Sequence, residues 1–524
     1  MERFERKPLA RSTAEMDAFD PSEIQFGTDG WRAIIGAGFT AENLARVVAA
    51  AARVFTEADL PASFGGKPVD LTEAKPTLLI GYDCRENASR YAALAGVILA
   101  SFGFRVQISD NYCPTPALCW SVAQNPDAIG GLILTSSHNP AEYLGVKLRM
   151  SDGGASPKSF SDRVEAALSA QLPEAFPAAL AFADNTNPDI PPGLEYTDFM
   201  TPYLADLASL VDAEAIAARR LKVLVDPMFG AGRAYLATLL RSLGVEVVEI
   251  NATEDPSFAG LHPEPILPWI QDALTQTAQL GFDACFITDG DADRIGAGTR
   301  DGAFVDPHKI LALVCALLVS DKHQKGRVVR TLSGSNLIKR QCERLGLDLV
   351  TTPIGFKWIY EEMLAGDVML GGEESGGIGI PSHVRERDGL LMALLLTELM
   401  AKQGKDLSEL VDDLLSSLGQ LLYARQDLRL TEAQKADFLR EICARMLPAE
   451  AYQSVFAAIS ESIINIDYRD GIKFEFASDA WLLARPSGTE PLVRVYAEAA
   501  ISEQVELLLG IGCGLATGEL RIKN

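Results

Sequence analysis

The chain has 524 residues, 48% of them hydrophobic and 23% charged, and carries a formal net charge of −24. That length holds roughly three or four domains and a core large enough to fold without disulfide or metal staples. The acidic balance argues against general affinity for nucleic acid or anionic membranes, so any bound phosphate must be met by locally clustered cations.

Residues 1–20 are charged and lack an apolar h-region, so no signal peptide is expected there. The first α/β cycle begins with a predicted strand at 77–82 and a helix at 88–102. It continues with a strand at 105–109, a helix at 115–124 and a buried strand at 129–134. Residues 173–192, rich in Ala, Pro and Asn, read as a linker or surface excursion. A second cycle has strands at 221–225, 245–250 and 284–288, with a Gly-rich turn at 229–232. A third opens with a helix at 307–320 and continues with strands at 327–331, 347–351 and 368–370. The tail changes character. Strands at 462–467, 472–476, 480–484 and 492–498, with a turn at Asp470-Gly471 and a closing helix at 503–515, read as an α+β module on an antiparallel sheet. The predicted division is 1–200, 201–305, 306–420 and 421–524. The longest apolar runs, 311–319 and 390–396, are too short to span a bilayer. Eight cysteines without CxxC spacing suggest a reducing, cytoplasmic setting.

Open α/β sheets bind ligands at the carboxyl ends of their strands, and each unit carries a polar loop there. Thr135-Ser136-Ser137-His138-Asn139-Pro140 follows the strand 129–134. A serine held at a strand end can act as a nucleophile or phosphate carrier, although the motif alone better suits an ordinary Ser/Asn/Pro turn. Lys147 lies on the next segment. Asp289-Gly290-Asp291-Ala292-Asp293-Arg294 follows the strand 284–288, and three alternating carboxylates can converge on one hard cation such as magnesium. A calcium EF-hand would need Gly and Glu where Arg294 and Arg300 stand. Gly371-Gly372-Glu373-Glu374-Ser375-Gly376-Gly377 offers acceptors for sugar hydroxyls. Arg485-Pro486-Ser487-Gly488-Thr489, with Arg494 close behind, makes an anion cradle.

These four loops, in this order, closely resemble those of the α-D-phosphohexomutase superfamily, and Phe26-Gly27-Thr28-Asp29-Gly30-Trp31-Arg32 is similar to its opening motif. The resemblance spans residues 26–498. It implies a heart-shaped, four-domain enzyme: three similar α/β modules with mixed sheets, plus a C-terminal α+β domain, around a central cleft. It implies a phosphoserine at Ser137 rather than Ser136, and one Mg²⁺ on Asp289, Asp291 and Asp293 with the phosphoserine as a further ligand. It also implies sugar contacts from Glu373, Ser375 and Lys357, and phosphate contacts from Arg485, Ser487, Gly488, Thr489 and Arg494. Arg32, His138 and Lys147 match positions near the transferred phosphate, and Arg294 lies beside them. Gly377 stands where some members carry histidine, so that histidine's acid/base role does not carry over; His383 is nearby in sequence. Ser136 stands where many carry alanine.

The implied activity is interconversion of glucose 1-phosphate and glucose 6-phosphate through a bisphosphate, with glucose 1,6-bisphosphate as activator and the protein a monomer or dimer. Mannose, then glucosamine or pentose phosphates, are the alternatives. A phosphatase would need neither a separate phosphate clamp nor a sugar loop, and a non-catalytic sensor could lose Ser137 or the aspartates.

Overall fold

The computed structural model describes residues 8–11, 20–27, 29–57, 75–487 and 491–520. Its strands form four sheets in chain order. The first contains β1 (Trp31–Ile34), β2 (Thr77–Tyr82), β3 (Arg105–Ser109), β4 (Ala128–Leu134), β5 (Tyr143–Met150) and β6 (Leu194–Thr197), ordered β1-β5-β4-β2-β3-β6. β2 pairs in parallel with β3 and β4, while β5 runs antiparallel to β4 and β1, so the sheet is mixed. The second sheet contains β7 (Lys222–Asp226), β8 (Glu246–Glu249), β9 (Ala284–Thr288), β10 (Ile295–Thr299) and β11 (Phe304–Val305), ordered β11-β10-β9-β7-β8. The third contains β12 (Arg327–Thr331), β13 (Leu349–Thr352), β14 (Val368–Gly372) and β15 (Ile378–Gly379), ordered β13-β12-β14-β15.

The fourth sheet is wholly antiparallel: β16 (Leu422–Arg429), β17 (Ile463–Asp467), β18 (Ile472–Phe476), β19 (Trp481–Pro486) and β20 (Leu492–Ala499), ordered β16-β20-β19-β18-β17. Every residue of β4 is buried, as its unbroken apolar sequence requires in a strand covered on both faces.

One continuous core joins residues of the first three α/β units, including Leu118, Val225, Phe286, Leu313 and Leu370. The apolar run 390–396 lies in the helix Gly389–Gln403, started by the Asp388 side chain accepting from the Leu391 N–H and buried along most of its length. It is a core helix, which explains its nearly continuous hydrophobicity. Among the described residues no helix is long and apolar enough to cross a membrane.

Several features depart from the sequence reading. The stretch 173–192 is not merely an excursion. It contains the helix Phe176–Asp184, whose Phe176, Ala179 and Ala183 are buried with Leu94 and Ile98 of the helix Ala88–Ser101. The Pro/Asn-rich flanks hid an apolar stripe at helical spacing, and burying Phe176 alone is worth about 2 kcal/mol. β5 and β10 are likewise not evident in the sequence, because each directly follows a polar loop; both are hairpin returns against β4 and β9.

The last unit docks on the third through a polar seam. Glu498 of β20 accepts from the Asn336 N–H at 2.7 Å, capping the helix Asn336–Leu345, and also from Trp481 Nε1 at 2.7 Å. A carboxylate at a helix N-terminus is favoured by the orphan N–H groups and the helix dipole.

Candidate active site

The carboxyl ends of β4 and β9 face one another across the seam between the first two sheets. Ser137 is 1% exposed, and its Oγ donates to Asp289 Oδ2 at 2.9 Å. Its backbone has φ +49°, a left-handed conformation that costs a non-glycine residue about 1–2 kcal/mol. Gly290 is required beside it. A Cβ there would lie 2.4 Å from the Ser137 carbonyl oxygen, so only glycine lets the aspartate loop come this close.

Asp289, Asp291 and Asp293 are fully buried, and one carboxylate oxygen from each lies within 4.8 Å of the others. Among the described residues Asp291 Oδ1 and Asp293 Oδ1 have no hydrogen-bond partner. Buried carboxylate oxygens left without donors fit a hard divalent cation with oxygen ligands. Burial, then Asp293 and Asp291, push the Asp289 carboxyl well above its usual range. Burial also opposes ionisation of Asp291, but Lys147 and Thr115 outweigh it and hold this carboxyl low. Thr115 anchors the loop from the first unit, its Oγ1 donating to Asp291 Oδ2 at 2.5 Å.

Lys147, on β5, reaches Asp291 Oδ2 at 2.7 Å, Asp293 Oδ2 at 3.0 Å and Asp29 Oδ2 at 3.1 Å. Burial favours its neutral form, yet these three carboxylates raise its pKa above the ordinary lysine range, so it stays an ammonium. His138 Nδ1 lies 3.4 Å from Ser137 Oγ. Burial, Arg294 and Arg32 hold its imidazole well below its usual range, keeping it neutral. Arg32 donates to Asn139 Oδ1 at 2.6 Å, on the serine loop itself. The Arg294 N–H donates to Asp289 Oδ1 at 3.1 Å, and its guanidinium lies 3.7 Å from Glu264. Ser136 is buried, and its hydroxyl has no partner among the described residues.

The sugar-type loop meets the same centre from the third unit. Glu373 follows β14, is 8% exposed, and its N–H donates to the Gly377 carbonyl at 2.9 Å. Burial and Glu374 outweigh Arg387 and push its carboxyl up to about 7. Ser375 is half-buried on that loop, and Lys357 lies near the start of the helix Phe356–Ala365 with its ammonium 4.9 Å from the Trp358 ring.

Arg387 is the residue that sequence reasoning missed most plainly. It bonds Asp29 and Asp293 at 2.7 Å, Glu386 at 3.0 Å and Glu373 at 3.5 Å, linking three units. A Cβ on Gly377 would fall 2.3 Å from Arg387 Cδ, so Arg387 fills the space a side chain at 377 would need. His383 is not its substitute. Its two nitrogens lie 3.1 Å from Asp206 and Asp388, carboxylates outside the triad. Asp29, Glu386 and Thr115 were missed too, as was Arg149, which lies 2.9 Å from both Asp29 and Glu386. The available signal was Arg385-Glu386-Arg387-Asp388, a charged run before a largely apolar helix, which reads locally as a solvated helix start.

The loop expected to form an anion cradle lies in the fourth unit. Arg485 bonds Asp470 at 2.9 Å, Arg494 lies 3.6 Å from Asp427, and the two arginines are opposite each other on β19 and β20. Ser487 is buried, while Gly488 and Thr489 lie outside the described residues, as does Thr28.

Three mixed α/β units that converge on a buried serine and an aspartate triad, followed by a unit on an antiparallel sheet, are the architecture of a phosphotransferase of the mutase class. The chain matches the phosphoglucomutase/phosphomannomutase models for α/β/α domain I over 23–174, domain II over 201–302, domain III over 306–418 and the C-terminal domain over 429–509. It is 32% identical over 449 residues to the phosphoglucomutase/phosphomannomutase of Thermococcus kodakarensis, covering 85% of this chain and 91% of that one. It is 30% identical over 478 residues to the phosphoglucosamine mutase of Frankia alni, covering 90% and 94%. A crystal structure from Thermus thermophilus, of a candidate phosphomannomutase, matches with a TM-score of 0.77 and 32% identity, covering 94% and 99%. The chain belongs to the phosphoglucomutase/phosphomannomutase family of the α-D-phosphohexomutase superfamily. It is therefore an enzyme, an isomerase acting by intramolecular phosphoryl transfer.

Proposed function

We propose that the chain interconverts glucose 1-phosphate and glucose 6-phosphate, with Ser137 as the phosphoryl carrier. The observation that carries this reading is Ser137 Oγ, buried and 2.9 Å from Asp289, beside an ammonium shared by the other two aspartates.

In the forward step a P–O bond to Ser137 Oγ breaks and one forms to a free sugar hydroxyl. The hydroxyl's proton ends on Ser137 Oγ. Neutral His138, 3.4 Å from that oxygen, is the group to pass it, while Lys147 and Arg32 offset the phosphoryl charge. The bisphosphate then turns and returns its other phosphate to the serine. Asp289, Asp291 and Asp293 would hold one magnesium ion, which when bound neutralises charge on the transferring group. Glu373, Ser375 and Lys357 would read the sugar. Arg485, Ser487, Gly488, Thr489 and Arg494 would hold the phosphate that is not reacting, and must accept either end of the sugar. Glucose 1,6-bisphosphate would prime the serine.

Glucose stands first because the form Glu373-Glu374-Ser375-Gly376 is similar to that of phosphoglucomutases. Mannose phosphate comes second, then glucosamine and pentose phosphates. A coupled assay with magnesium and a trace of glucose 1,6-bisphosphate tests this. The expected result is conversion of glucose 1-phosphate with a higher kcat/KM than mannose 1-phosphate or glucosamine 1-phosphate. A preference for either of the other two overturns the substrate, and no conversion of any overturns the mutase reading.

A further inference from the structure

Arg85 follows β2 by three residues, outside the four loops, and its side chain is completely buried. Its guanidinium has five N–H donors, and all five are directed at one neighbourhood. Nη1 donates to the carbonyls of Pro140 at 2.6 Å and Tyr143 at 3.0 Å. Nη2 donates to those of Ser137 at 2.7 Å and Asn139 at 2.6 Å. Nε donates to Asp83 Oδ2 at 3.0 Å. The same Asp83 oxygen accepts from Thr135 Oγ1 at 2.7 Å, and Thr135 Oγ1 accepts from the Ser137 N–H at 2.9 Å. A closed ring therefore runs from the Ser137 N–H through Thr135, Asp83 and Arg85 to the Ser137 carbonyl. From the second unit, the buried Phe258 ring covers the guanidinium, 4.9 Å from its Cζ.

This ring grips both backbone groups of a serine held at positive φ. We propose that Arg85, through Asp83 and Thr135, is the positioning residue that fixes Ser137 in its left-handed conformation and aims Oγ at the aspartate triad. Arg85 touches no reacting atom; it acts through the backbone. A lysine could keep the charge against Asp83, but its three donors on a single nitrogen cannot fork to four carbonyls. The proposal rests on Ser137 being the phosphoryl carrier.

The test compares wild type, R85K and the charge-neutral double variant D83N/R85M. Each is assayed for melting temperature, Kd for glucose 1-phosphate, steady-state kcat and KM, and the single-turnover rate at which ³²P moves from glucose 1,6-bisphosphate to the enzyme. The expected result is a folded R85K with Kd and KM within about threefold of wild type, but with kcat and labelling about 100-fold slower, as a misplaced reacting group gives. The double variant is expected to behave likewise. Wild-type labelling rates in R85K overturn the proposal. So does a parallel collapse of melting temperature, Kd and rate in both variants, which would make Arg85 a general structural residue. Failure of wild type itself to label overturns the underlying carrier assignment, and is visible before any variant is compared.

Discussion

The two ends of the candidate site are built differently. At the seam of the first and second units, Ser137, Lys147 and the three aspartates are at most 1% exposed, and contacts from the first three units converge on them. At the fourth unit, the Arg485 and Arg494 side chains are 16% and 26% exposed and lie 2.9 Å from Asp470 and 3.6 Å from Asp427. The difference matches the two tasks proposed for these ends. Phosphoryl transfer depends on fixed distances between reacting groups, so strain and buried charge are tolerated where the structure over-determines them. A clamp that must accept either end of a turning intermediate needs charge and access more than rigidity.

Variants at the two ends should therefore fail in different ways. The largest effect is expected for S137A, with turnover falling by at least about 10⁴-fold and the melting temperature unchanged within error. Coupled-assay kcat and calorimetry check both. D291N should follow, with kcat reduced about 100- to 1000-fold and magnesium affinity weakened, measured by titration calorimetry. R485A should raise KM about 10- to 100-fold while leaving kcat within a few-fold, since it removes charge-assisted phosphate contacts. If R485A instead lowered kcat as S137A does, the two ends would not be functionally distinct.

The smallest effect concerns Glu373, whose carboxyl is pushed up to about 7 chiefly by burial. As a hydroxyl acceptor it binds best when ionised, so KM should fall several-fold between about pH 6 and about pH 8, and E373Q should lack that component. The stability sign is opposite. The native state holds this proton more tightly than the unfolded chain does, so stability falls as pH rises from the ordinary carboxyl range to about 7. E373Q, compared by thermal melts, should lose less stability over that interval.

Much of this was legible in the sequence because it is local. Apolar strands running into polar loops marked β4, β9 and β14, and the alternation Asp289-Asp291-Asp293 put three carboxylates on one turn. What was not legible is non-local. Arg387 lies 358 residues from its partner Asp29, and Asp83-Cys84-Arg85 is an ordinary charged pair until the fold brings four carbonyls to it. The helix Phe176–Asp184 was obscured by its Pro- and Asn-rich flanks, although its apolar spacing was present.

The central claim is that phosphate passes through Ser137 from one sugar position to another. It is tested most directly by labelling the enzyme with ³²P from glucose 1,6-bisphosphate, mapping the labelled peptide, and chasing with unlabelled glucose 1-phosphate in a single turnover. The account predicts label on Ser137 that leaves with the sugar, as bisphosphate or 6-phosphate. Label on another residue, or released as inorganic phosphate without sugar turnover, would contradict it.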